Sequence, residues 1–404
     1  MKEQLQKANL IIFAYPVYTF MAPYQLHRFI ELMKEMDIDF STKFAAQVST
    51  SMHFYDTTAH RFIKENCLDM QFKYAGGLSA KMEDLLEKQG QKEALDFFKK
   101  LMFDVKHNIY QQEKVPVTIK KESIYEKSLP IRAKKANKQV TVITNVAADD
   151  LNLRNMIDDF VSAMAYEVKV FNVREFAFTG GCISCFRCTI DGTCIYKDGF
   201  QEVLRNEICT SDAIVYAYTI ENHFTHSSMK CYDDRQFCNG HRPVNRGKCT
   251  GYIISGSYSQ ESNLRVICEA RAEVSGMYNA GVATDELDTA LSINQLAKSL
   301  SYSLDHNIKA PANFYGVGGM KVFRDLIYVM KGFMKEDHRF YKSEGMYDFP
   351  QKETKKIAQM YLVGAAMAIP SIQKKIMSNM NEYTIEPYRR LIASAEQRNK
   401  DKIE

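Results

Sequence analysis

Ala8-Asn9-Leu10-Ile11-Ile12-Phe13-Ala14-Tyr15 lies over Ser211-Asp212-Ala213-Ile214-Val215-Tyr216-Ala217-Tyr218 when the chain is aligned with itself at an offset of about 203. Tyr74-Ala75-Gly76-Gly77 lies over Asn279-Ala280-Gly281-Val282 at about 205. A near-constant offset held over such a span is the mark of a duplicated domain. Each copy runs strand, loop, helix, which predicts an α/β fold with doubly wound parallel sheets in tandem. In the first copy the strands fall at Leu10–Phe13 and Phe44–Val48, with helices over Pro23–Met36 and after His60. In the second they fall at Gln139–Ile143, Val168–Phe171, Ala213–Tyr216 and Tyr252–Ile254, with a helix over Leu153–Met164.

The second copy has two strands ahead of the matched stretch; the counterparts in the first would lie upstream of Met1. The first copy is therefore expected to start at its third strand, and either a longer natural chain or another surface is expected to complete it. The division expected is a partial domain at 1–104, a charged Lys-rich linker at 105–137 with Pro116 and Pro130, a complete domain at 138–285, and a mostly helical extension at 286–404. Gly316-Val317-Gly318-Gly319 reads as a break in that helical stretch.

Composition narrows the function. Charged residues make up 25% of the 404, and the net charge of +4 is spread along the chain. That leaves no basic stripe for nucleic acid. The start Met1-Lys2-Glu3-Gln4 has no secretory pattern, and the longest apolar stretch, Met360 to Ile369, is too short to span a bilayer. A cytoplasmic protein without nucleic-acid or membrane partners is expected. In that compartment ten cysteines are metal ligands or buried thiols rather than disulfides.

Four of them stand out. Gly180-Gly181-Cys182-Ile183-Ser184-Cys185-Phe186-Arg187-Cys188, closed by Cys194, spells C-x2-C-x2-C-x5-C. Three thiols at x2 spacing wrap tightly enough to take three corners of a cubane, and the fourth reaches the remaining iron, so a [4Fe–4S] cluster is the leading assignment. Zinc is its nearest rival, but structural zinc more often uses two separated pairs than so compact a run, and free thiols are the third reading. Cys67, Cys209, Cys249 and Cys268 read as small buried hydrophobes. Cys231 and Cys238, with His223, His226 and His241 nearby in sequence, are candidates for a second metal site, though at no standard ligand spacing.

With these elements placed, the chain resembles the iron–sulfur flavoprotein branch of the flavodoxin-like NAD(P)H-dependent FMN reductases. The cysteine run after the second strand, the helix ending at Cys209-Thr210-Ser211-Asp212-Ala213-Ile214-Val215, and Thr219–Arg235 in the place of a flavin loop carry the resemblance over about 140 to 285. Ala14-Tyr15-Pro16-Val17-Tyr18-Thr19-Phe20-Met21-Ala22-Pro23 in the first copy is similar to the loop that lies along the flavin ring. The resemblance implies flavodoxin-like folds and FMN held by Pro16, Val17, Tyr18, Thr19 and Phe20. A second contact loop is implied at Ser49, Thr50 and Ser51 and at Ser255, Gly256 and Ser257. Both sets are also ordinary packing and turn residues.

Thr144-Asn145-Val146-Ala147-Ala148-Asp149-Asp150 departs from the family's phosphate loop: it has no glycine, and its two carboxylates oppose a phosphate. The first copy is therefore expected to hold FMN and the second the cluster, with the further option of a homo-oligomer in which cluster and flavin face each other between subunits. The expected activity is oxidoreduction, with NAD(P)H or another reductant feeding FMN, the cluster and then a protein or small-molecule acceptor. No acid–base residue is required, because the cofactors carry the chemistry. The rivals are a non-enzymatic electron carrier serving a protein partner and a zinc-stabilised binding module that has lost its flavin.

Overall fold

Short runs rich in β-branched and aromatic residues form the strands, and amphipathic stretches between them form the covering helices. The computed structural model describes residues 1–111, 124–309 and 311–400. Pro116 of the expected linker lies outside the described residues.

The unit Met1–Glu344 holds the eight strands found among the described residues: β1 Leu10–Pro16, β2 Phe44–Ser51, β3 Lys73–Lys81, β4 Lys135–Thr144, β5 Tyr166–Asn172, β6 Ala213–Thr219, β7 Cys249–Ser255 and β8 Tyr278–Thr284. Its helices are α1 Lys2–Lys7, α2 Tyr24–Glu35, α3 Asp56–Asp69, α4 Lys88–His107, α5 Leu151–Ala163, α6 Arg187–Ile190, α7 Phe200–Val203, α8 Ser227–Arg235, α9 Ser262–Val274, α10 Thr289–His306, α11 Phe314–Val329 and α12 Lys335–Ser343. The unit Gly345–Glu404 carries α13 Thr354–Met367, α14 Pro370–Ser378 and α15 Met380–Lys400. Among the described residues no helix is long and apolar enough to cross a membrane.

All strand pairs within the two sheets are parallel. One sheet has the order β5-β4-β6-β7-β8 and the other the order β1-β2-β3. Counted from β4, the larger sheet reads 2-1-3-4-5, the flavodoxin-like winding. The smaller sheet corresponds to its last three strands. Each sheet breaks register at the same place: between Ala45 and Gln47 opposite β3, and between Thr250 and Tyr252 opposite β8. The glycines at these breaks, Gly76 at φ +113° and Gly281 at φ +137°, adopt backbone that other residues rarely reach.

Burial shows what the smaller sheet lacks. β6 is buried along nearly its whole length, whereas β1 alternates, with Phe13 and Tyr15 inside and Ile12, Ala14 and Pro16 exposed. In the larger sheet Val140, Val142, Val215 and Ile253 pack on one face against Leu153, Met156 and Phe160 of α5 and Ile293, Leu296 and Leu300 of α10. β1 has no counterpart of β4 or α5 beside it among the described residues. The opposite faces of both sheets share one core, joining Phe13, Ile30, Met33, Phe62 and Ile63 to Tyr216, Tyr252, Leu264 and Ile267. At this seam α2 packs on α8 and α3 on α9. Each helix meets its own counterpart, as in a two-fold interface.

The break expected at Gly316–Gly319 is corrected: these residues lie inside α11. A Cβ on Gly319 would stand 2.6 Å from Val274 Cγ2 and 3.1 Å from Phe54, and one on Gly316 would stand 3.0 Å from the Glu273 carbonyl. The glycines let α11 lie close on α9 rather than ending the helix.

Candidate functional site

β1 ends in a tight hairpin. The Tyr18 N–H donates to the Met21 carbonyl at 2.8 Å and the Met21 N–H to the Tyr18 carbonyl at 3.0 Å. Thr19 and Phe20 between them sit at φ +47° and +70°, the left-handed pair that such a turn demands although neither is glycine. Asn222 and His223 repeat this at φ +53° and +64° after β6. The loop conformation, not only the strand, is thus shared by both sheets. Phe20 is buried against Phe54 and Tyr55, with ring centroids 5.1 and 4.6 Å away. Tyr18 is half-buried, meets the edge of Phe237 at 6.1 Å, and reaches the Ser184 hydroxyl.

Beneath this turn lies a fully buried ion pair. Lys230 Nζ donates to the Tyr18 carbonyl at 2.8 Å and to Asp234 Oδ1, while Asp234 Oδ2 accepts from the Tyr24 N–H at 2.8 Å. Burial drives the Asp234 carboxyl up to about 6, against the opposing pull of Lys230. Lys230 and Asp234 are four apart on α8, so they share a face and carry the first sheet's loop on the second sheet's helix.

The cysteine run occupies the connection between β5 and β6. Ser184 and Phe186 sit at φ +54° and +58°, non-glycine residues in the left-handed region where strain collects at functional loops. Arg235 on α8 braces the loop's entry, donating to the Gly180 carbonyl at 2.9 Å and through both terminal nitrogens to Asp198 at 2.8 Å. Despite burial of the carboxyl, Arg235 holds Asp198 well below the usual carboxylate range. Arg205 donates to the Gly192 carbonyl at 2.7 Å, and the Cys194 N–H donates to Gln201 Oε1 at 2.7 Å. A Cβ on Gly181 would lie 2.6 Å from the Tyr24 ring, so glycine there lets the loop approach α2.

These loops face one another across a single cavity of about 370 Å³. Pro16, Val17, Tyr18, Thr19, Phe20, Thr50 and Ser51 line it together with Cys182, Cys185, Cys188 and Cys194. Residues predicted for the flavin and residues predicted for the cluster therefore meet, and they do so within one chain. Ser49 is fully buried and its hydroxyl is 2.7 Å from His60 Nε2, away from the lining. Ser255, Gly256 and Ser257 lie outside it too. Ser255 Oγ donates to Asp285 Oδ2 at 2.8 Å and the Gly256 N–H to Asp285 Oδ1 at 2.9 Å.

Sequence reading missed Asp234 and Phe237 and weighed Cys238 only for a second metal site; all three also line the cavity. The i,i+4 pairing of Lys230 with Asp234 was the available signal. The histidines near Cys231 and Cys238 are dispersed: His223 lies against Glu261 and Asp69, His226 against Ser228, and His241 against Asp337.

Burial pushes the Cys182 thiol up to about 11 and the Cys188 thiol to about 12. As free groups they stay protonated at neutral pH; a bound metal would have to displace those protons. The Ser184 N–H points at Cys182 Sγ from 3.5 Å, the kind of donor that tunes a cluster sulfur. Among the described residues no three of the four sulfurs lie within 4.8 Å of one another. Four thiolates on tetrahedral zinc, at bonds of about 2.3 Å, would stand about 3.8 Å apart.

The phosphate end of a flavin is less well served. In the second sheet Asp150 caps α5, accepting from the Leu153 N–H at 3.1 Å, and its other oxygen accepts from Thr219 Oγ1 at 2.6 Å. A carboxylate thus fills the helix N-terminus where a phosphate would be bound. Of the three arginines lining the cavity, Arg235 is paired with Asp198, Arg271 with Asp233, and Arg242 stands 3.8 Å from Asp337 and 3.9 Å from Glu336.

The 2-1-3-4-5 strand order and the loops gathered at the carboxyl ends of the strands define a flavodoxin-like α/β protein. No protein-family model matches the chain. Over 73 residues it is 33% identical to an iron–sulfur flavoprotein of Archaeoglobus fulgidus, a match taking in 18% of this chain and 33% of that protein. The chain thus spans about a third of the length of this curated relative. Among solved structures, an NAD(P)H:quinone oxidoreductase from Methanothermobacter marburgensis aligns at 12% identity and a TM-score of 0.31, over 42% of this chain and 98% of that one. An FMN-dependent NADH-azoreductase from Bacillus anthracis aligns at 9% identity and a TM-score of 0.30, again over 42% and 98%.

Proposed function

We propose that this chain is an iron–sulfur flavoprotein-type oxidoreductase, with a [4Fe–4S] cluster on Cys182, Cys185, Cys188 and Cys194 facing an FMN ring on Pro16–Phe20 and Thr50–Ser51. The observation that carries the reading is the shared cavity, since two loops predicted for different cofactors have no structural need to meet. When bound, the flavin would supply exchange between two-electron and one-electron chemistry and the cluster one-electron transfer. The partial match to an iron–sulfur flavoprotein supports the same reading.

The chain's own residues orient and insulate. The left-handed pair Thr19 and Phe20 presents backbone to the cavity, and Lys230 fixes the Tyr18 carbonyl. Tyr18 lies between the two loops and lines the cavity with Ser184. Phe54, Phe237 and Phe323 give the cavity apolar walls that exclude water from the space between the cofactors. NAD(P)H or another reductant is the proposed donor, with a small molecule or redox protein as acceptor. The N-terminus of α5, where a phosphate would bind in the second sheet, is filled by Asp150.

Anaerobic purification followed by iron, labile sulfide and flavin analysis of one sample tests this. About four irons with sulfide per chain, together with FMN and the loss of iron in C188S, is the expected result. Zinc in place of iron, or full iron retention in C188S, would overturn it.

A further inference from the structure

On the far side of the seam, outside the cavity lining, Glu65, His223 and Glu261 bring one ligand atom each within 4.8 Å of one another, and all three are buried. Glu65 comes from α3 beside the first sheet. His223 comes from the loop after β6, and Glu261 immediately precedes α9 beside the second. We propose that these three residues bind a divalent transition-metal cation that clips the two sheets together.

The chemistry of the donors is one imidazole and two carboxylates, a set suited to manganese, ferrous iron or zinc. Glu65 supplies the independent observation. It is 5% exposed; Oε1 accepts from Arg61 Nε at 2.7 Å, whereas Oε2 is buried with no hydrogen-bond partner. A buried carboxylate oxygen without a partner is costly, and a cation relieves that cost. Glu261 is 2% exposed, with oxygens 3.0 and 3.2 Å from His223 Nδ1.

The other ring nitrogen, Nε2, stands 3.0 Å from Asp69 Oδ2. A carboxylate behind a ligating histidine fixes its tautomer and orientation, the usual outer partner of a metal-bound imidazole. Asp69 is in turn held by Lys34 at 2.8 Å. Glu65 and Asp69, four apart on α3, face the imidazole from one side. The loop is pinned as well: Asn66 Nδ2 donates to the Asn222 carbonyl at 3.1 Å. The counterpart of His223 in the first sheet's hairpin is Phe20, which packs on aromatic rings. Only one of the two equivalent turns carries a ligand side chain.

Without metal, His223 keeps a proton. Burial alone would lower its affinity for one, but hydrogen bonds with Asp69 and Glu261 outweigh that and raise it to about 9.

The test uses cluster-loaded holoprotein stripped of loosely held metal with a chelator, then titrated with Mn2+, which thiolates bind poorly, following loss of the free-ion EPR signal. One Mn2+ per chain is expected, with affinity falling at least tenfold in E65Q and in E261Q, two near-isosteric variants checked for native circular dichroism. No stoichiometric binding, or affinity unchanged in whichever of the two variants is folded, would overturn the site.

Discussion

Replacing Lys230 by Met removes one half of a fully buried ion pair and leaves Asp234 without its main counter-charge. Breaking such a pair from one side costs about 3 to 5 kcal/mol. A ceiling follows from proton affinity: neutralising a carboxyl with an ordinary value of 3.8 at pH 7 costs about 4 kcal/mol, so beyond that cost Asp234 takes a proton instead. The orphaned Tyr18 carbonyl adds about 1 kcal/mol or more. In K230M/D234N the amide oxygen can still accept from the Tyr24 N–H, so the double variant should lie only about 1 to 2 kcal/mol below wild type. Urea unfolding of the four proteins of the cycle gives the coupling, expected to exceed about 2 kcal/mol. K230M should also gain stability as the pH drops from 7 to 5, because the folded state, with the raised carboxyl, then binds more protons than the unfolded one. A K230M cost below about 1 kcal/mol, or a double variant whose cost is the sum of the singles, would refute the argument that this pair carries the loop.

Three further outcomes are expected. His223, raised from 6.5 to about 9, contributes stability that is fully present below pH 6.5 and is lost as the pH rises through about 9. The contribution is about 3 kcal/mol at most, and in the presence of chelator wild type should lose that much between pH 6.5 and 9.5 relative to H223Q; parallel pH profiles would contradict it. Gly319→Ala should lower stability by about 1 kcal/mol, because crowding against Val274 exceeds the gain in helix propensity, whereas Gly364→Ala, with open space around the site in α13, should raise helix content. Thermal unfolding and far-ultraviolet circular dichroism read both.

Six strands were legible because both sheets bury apolar runs bounded by turns, whereas β3 and β8 were matched in the repeat but not read as strands, because their glycines weaken the strand pattern. Their ends were less legible. β1 continues to Pro16 and β2 to Ser51, past the apolar runs, because pairing with a neighbour extends a ladder regardless of side-chain character. The glycines of α11 misled because glycine breaks a helix through conformational freedom but serves it through close approach, and only the neighbour decides which applies. At the site, spacing sufficed for Cys182 to Cys194 because their partners are local. Lys230 and Asp234, on α8, act on residues about 210 positions away in the chain, a relation that no window of sequence displays.

The seam explains why one turn faces thiols and its counterpart carboxylates. Each sheet brings the hairpin after its β1 or β6 strand to the interface at which α2 meets α8 and α3 meets α9. The larger sheet supplies the β5–β6 connection, which delivers the four cysteines opposite Tyr18 and Thr19. The smaller sheet has no strand or connection in the corresponding place among the described residues, so the turn at His223 meets only α3 and the start of α9, with Glu65, Asp69 and Glu261 on them. Loss of symmetry in the sheets thus becomes a difference in chemistry at the two ends of one interface: a wide, apolar-walled cavity ringed by sulfur at one, and a closed, charged cluster of nitrogen and oxygen at the other.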